Sequence, residues 1–134
     1  MTLADLRNDL VILACAISAG IHGALVPSHF DEGTAPGLGF TAATVALIAI
    51  VAWLTWRPTS ALSLAAAAAT LSALLASYAL AITTGVPVLH PHPEPVDGLA
   101  LAAKAIEVVG LLAAIGLLWR PVAVPHAEPK GTLT

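Results

Sequence analysis

Four long apolar runs decide what this chain can become. They cover about residues 10–26, 38–56, 60–83 and 99–119, each sufficient to cross a bilayer core as a helix. Inside a membrane every backbone N–H and C=O must find its partner within the protein, so such runs become helices. The balance of residues agrees: 58% are hydrophobic and 10% charged, against about a quarter charged in a soluble domain. A surface built from this chain cannot face water on all sides. The expectation is one all-α membrane domain, a four-transmembrane-helix bundle of up-down topology.

The breaks between the runs are as informative. Pro27 is expected to end the first span, and Arg57-Pro58 the second, with Thr59 or Ser60 capping the next helix. Thr84-Gly85-Val86-Pro87 closes the third. Arg120-Pro121 closes the fourth and leaves a polar tail over 120–134. The opening MTLADLRNDL carries Asp5 and Asp9 against Arg7 and is followed by no clean small-residue cleavage site. The first run therefore reads as a retained span, not a secretory signal.

Lys and Arg orient the bundle. Arg7 precedes span one, Arg57 lies between spans two and three, and Arg120 and Lys130 follow span four. The other two connections contain neither residue. The positive-inside rule then puts both termini in the cytoplasm of a multi-pass protein of the bacterial plasma membrane, with two loops outside. Trp53, Trp56 and Trp119 suit an aromatic belt at the inner interface. Trp56-Arg57-Pro58 recurs as Trp119-Arg120-Pro121, and the same offset lays His29 and Asp31 on His92 and Glu94. Either the chain is two tandem helical hairpins, or helices ending at the inner interface simply favour Trp, Arg and Pro.

Several classes of function are excluded early. The net charge is −3, so no basic surface recruits nucleic acid. The single cysteine, Cys15, rules out an internal disulfide or a paired-thiol mechanism. Five histidines are too few for the His boxes of membrane hydroxylases, and no serine or cysteine has an evident catalytic base beside it in sequence, so no enzyme activity is expected. A haem held by His22 is open to a bundle of this kind.

Small and weakly polar residues mark the faces that pack. They include Cys15, Ser18 and His22; Thr41 and Thr44; Ser63, Thr70 and Ser77; and Ala103, Glu107, Gly110 and Ala114. Helices associate in lipid through such faces. Glu107 stands apart, roughly 12 Å below the outer boundary at 1.5 Å per residue. A carboxylate at that depth must be paired or protonated. Lys104 can pair with it at i, i+3, and His22 lies within reach. Lys104 and Glu107 are thus read as an intramembrane ion pair. With His22, Glu107 is either a ligand or proton site or a fixer of helix register.

The outer breaks hold the remaining chemistry. His22, His29 and Glu32 read H-x6-H-x2-E, and His90, His92 and Glu94 read H-x-H-x-E. In an extended segment, side chains two apart point the same way. Imidazole and carboxylate together suit zinc or copper(II). If the hairpins pack side by side, His22, His29, Glu32, His90, His92 and Glu94 converge as a metal site at the outer end. Alternatively the prolines close the loops and the polar residues keep them wet.

GIHGALVPSHFDE after span one, and ITTGVPVLHPHPEPVDGLALAAKAIEV from the third span into the fourth, resemble a group of small four-helix membrane proteins of high-GC actinobacteria. The resemblance spans most of the chain. It implies the topology and draws attention to His22, His29, Glu32, Glu94, Lys104 and Glu107, and it implies no mechanism.

Three functions follow as expectations. The first is a small membrane protein binding copper or zinc at its outer face. The second is a structural or assembly subunit of a larger membrane complex, favoured by the Gly110–Ala114 GxxxA spacing. The third is a small transporter or channel using Glu107, which would need a homo-oligomer to build a path.

Overall fold

The computed structural model of the protein describes residues 2–58, 60–87 and 92–119. Four helices account for almost all of them: α1 (Leu3–Glu32), α2 (Thr34–Trp56), α3 (Ala61–Thr83) and α4 (Gly98–Leu118). Each is long and apolar enough to cross a membrane. They form an up-down bundle in which neighbours run α1–α2, α2–α3, α3–α4 and α4–α1; the α1–α2 contact is the most extensive and the α2–α3 contact the slightest. The bundle has two ends. The tryptophan end carries Trp56 and Trp119, 85% and 83% exposed, at the close of α2 and α4. The histidine end carries the close of α1 and the start of α4.

The caps are local and readable. Thr2 and Asp5 make a reciprocal capping box at the start of α1, Thr2 N–H donating to Asp5 Oδ2 at 2.7 Å and Asp5 N–H to Thr2 Oγ1 at 3.2 Å. Ser60 accepts from the Ser63 N–H at the start of α3, and Asp97 from the Ala100 N–H at the start of α4.

The first helix departs from expectation. It begins seven residues before the apolar run and passes straight through Pro27 to Glu32. A proline costs one donor, here the one that would reach the Gly23 carbonyl, and strains the turn before it. It does not forbid the turn after it. That turn is held by side-chain donors: Ser28 Oγ donates to Leu25 O at 2.8 Å, and His29 Nδ1 lies 2.8 Å from the same oxygen. The break instead falls on one residue, Gly33, in extended conformation, before α2 starts. Pro36 sits in the first turn of α2, where a missing N–H costs nothing. Beside it, a Cβ on Gly37 would lie 2.4 Å from the Phe30 ring, so only glycine lets α1 and α2 close here. His29, Asp31 and Glu32 are therefore helical, not in a loop. By contrast His92 and Glu94 lie outside any helix, and the proposed equivalence of the two His-x-acid tripeptides does not hold structurally.

At about 1.5 Å per residue α1 is roughly 45 Å long, well beyond the roughly 30 Å of a bilayer core. Near the tryptophan end Arg7 Nη1 donates to Gly116 O at 3.1 Å. A guanidinium there serves one of the last carbonyls of α4, which lacks a partner within its own helix. Arg7→Ala is expected to lower stability by about 1–2 kcal/mol, read as a fall in the unfolding midpoint in detergent, with Arg7→Lys recovering part of it.

Packing is that of a membrane bundle. Leu13, Ile17, Val45, Ile48, Leu101 and Leu112 are exposed, while Ser18, Ser63, Glu107 and several alanines are buried. Large apolar side chains outside and small or polar ones inside require an apolar solvent. The apolar core includes Val11, Cys15, Leu47, Leu54, Leu64, Ala67, Leu71 and Ala114, from the middle of the bundle toward the tryptophan end. Gly110 makes the α1–α4 crossing possible, since a Cβ there would lie 2.5 Å from the Ala14 Cβ. The Gly110–Ala114 spacing is thus used within the bundle.

Candidate functional site

The buried polar groups of the histidine half form one connected set. Glu107 is fully buried on α4. Its Oε2 is 2.7 Å from Lys104 Nζ, the i, i+3 neighbour one turn nearer the histidine end. Its Oε1 accepts from Ser18 Oγ of α1 at 2.7 Å. Both carboxylate oxygens are therefore met, one by a cation and one by a hydroxyl, which a buried charge requires. Lys104 Nζ also lies 5.6 Å from the centre of the Tyr78 ring of α3. Three helices are tied through this group.

His22 joins the set through Ser18, not by touching Glu107. Its Nδ1 is 2.9 Å from Ser18 O and 3.3 Å from Ser18 Oγ. A carbonyl only accepts, so Nδ1 carries the hydrogen, and Nε2 is the basic nitrogen. His29 has the same arrangement on Leu25 O. Phe40 of α2 covers both rings, stacked on His29 with centroids 3.5 Å apart and tilted against His22 at 5.3 Å.

Above this layer a cavity of about 620 Å³ opens among all four helices. Its wall includes His22, His29 and Glu32 from α1, Phe40 from α2, Tyr78 from α3, Lys104 from α4, and Glu94 and Asp97 from the preceding connection. Glu94 N–H donates to Ala81 O at 3.0 Å, which fastens that connection to the end of α3. A second cavity of about 520 Å³, lined by Asp5, Asn8 and Asp9 among others, lies at the tryptophan end. The apolar core stands between them.

Four of the six residues expected to gather at the histidine end, His22, His29, Glu32 and Glu94, line this one cavity. Among the described residues no group of three or more His, Cys, Asp or Glu side chains is placed to hold an ion. The physical reason is the helix: His22 and His29 stand two turns apart, roughly 10 Å along the axis, and each ring is fixed by its own i−4 carbonyl. His92 is exposed and away from the wall, and His90 lies outside the described residues.

Three participants were missing from the expected site. Ser18 stands four residues before His22, a spacing that announces contact on a helix. Phe40 and Tyr78 carry no such signal, because their partners belong to other helices.

Fold and site together define a membrane-spanning four-helix bundle with a cavity in one half and an ionic layer beneath it. Comparison with known proteins adds no family to this class: no family model, no curated protein and no solved structure matches the chain.

Proposed function

We propose that the protein is a small multi-pass plasma-membrane protein that holds a small molecule in the cavity at its histidine end. The observation that carries this is the cavity itself: four helices surround it, its wall mixes apolar, aromatic and ionisable groups, and a ligand site has that character. Under the positive-inside orientation it opens on the outer side of the membrane. The Lys104–Glu107–Ser18 layer gives the cavity a fixed polar floor. The packed core beyond it favours binding over conduction by a single chain. The GxxxA spacing, consumed at the α1–α4 crossing, no longer favours an assembly subunit.

Native mass spectrometry of the detergent-purified protein tests this, run beside elemental analysis. Wild type is expected to carry an organic adduct that Ala43→Trp, which fills the cavity, removes. Near-stoichiometric copper or zinc, lost in His22→Ala, His29→Ala, would replace the small molecule by a metal ion. Neither adduct nor metal in freshly extracted protein, with Ala43→Trp as stable as wild type, would overturn binding and leave a structural subunit.

A further inference from the structure

The wall of the cavity also restricts the kind of molecule that fits it. Lys104 lines the cavity and has three N–H donors. Glu107 accepts one of them, and among the described residues no second acceptor meets the ammonium. Its remaining donors are held in place by the Glu107 bond and by the Tyr78 ring beneath. An occupant reaching the floor therefore meets a preorganised hydrogen-bond donor in surroundings of low dielectric, where such a bond is strong.

Charge narrows the class. Asp97 belongs to the same wall, and its carboxylate disfavours an anion entering past it. The Lys104 ammonium disfavours a cation at the floor. Apolar side chains, among them Leu25, Phe40, Leu74 and Leu99, form the rest of the surface. We infer that the occupant is an uncharged amphiphile whose head group is a carbonyl-type hydrogen-bond acceptor seated on Lys104, its apolar body against Phe40 and Leu74. This rests on the proposed binding role of the cavity and adds its chemical class and its anchoring residue.

Four probes of one ring system separate the cases: acetonaphthone, ethylnaphthalene, naphthoate and naphthylmethylamine, titrated into the full chain in nanodiscs. Acetonaphthone is expected to bind about tenfold more tightly than ethylnaphthalene, as one hydrogen bond to a charged donor implies. That preference is expected to vanish in Lys104→Met, Glu107→Leu, which removes both charges together and so leaves neither buried alone. Equal binding of acetonaphthone and ethylnaphthalene, both lost in Ala43→Trp, would overturn the carbonyl anchor and keep the cavity as a site. Tightest binding by naphthoate or naphthylmethylamine would overturn the uncharged class. A preference that survives in the double variant would overturn Lys104 as the anchor. No binding by any probe would overturn both this inference and the binding role.

Discussion

Glu107→Ala is expected to destabilise the bundle by about 3–5 kcal/mol, the usual consequence of removing one partner of a buried ion pair. The cause is what remains. Lys104, with a side chain only 15% exposed, would keep an ammonium without its carboxylate, and Ser18 Oγ would lose its acceptor. Glu107→Gln preserves shape and an acceptor for Ser18 but not the charge, so an intermediate loss is expected. Lys104→Met, Glu107→Leu removes both charges and is expected to recover most of the stability, because well-packed apolar pairs commonly replace buried ion pairs without loss. Unfolding of the four proteins by a denaturing detergent, followed by far-ultraviolet circular dichroism, measures the series. A double variant no more stable than Glu107→Ala would show that the carboxylate does more than balance Lys104.

Gly110→Ala is the second large effect, and its sign is set by competition. Alanine is the better helix former by about 1 kcal/mol. Yet the new methyl would sit 2.5 Å from the Ala14 Cβ, and that neighbour is fixed to the α1 backbone with no rotamer to escape into. Overpacking of this sort costs about 1–3 kcal/mol, and helix separation would also stretch the nearby Ser18–Glu107 bond. A net loss is expected. Ala14→Gly in the same chain returns the space and should restore the melting temperature. If Gly110→Ala melts with wild type, α1 and α4 cross less closely than described.

These two experiments bear on different parts of the molecule that were legible to different degrees. The i, i+3 meeting of Lys104 and Glu107 is a property of any helix, and so was open to inspection of the chain. That Ser18 completes the carboxylate was not, because it depends on the rotation of α1 against α4. Pro27 misled for a related reason. As a helix terminator it is a local rule, but a proline near a helix end sacrifices one bond, and side-chain donors on Leu25 O secure the next turn. His29, expected on a pliable loop, thereby became a fixed point two turns beyond His22 on one rod.

What the chain determined by itself is the number of spans, their approximate limits and the need for an apolar solvent. Those follow from run length and from the cost of unpaired backbone groups in lipid, and neither depends on which helix touches which. α3 and α4 accordingly match their expected limits to within a residue or so. Tertiary structure alone decided that the polar residues divide into an ionic layer and a cavity wall. It also set Phe40 over two imidazoles. Those outcomes turn on the azimuth and crossing of helices, which are fixed by close contacts such as Ala14 against Gly110. No spacing along one segment encodes them.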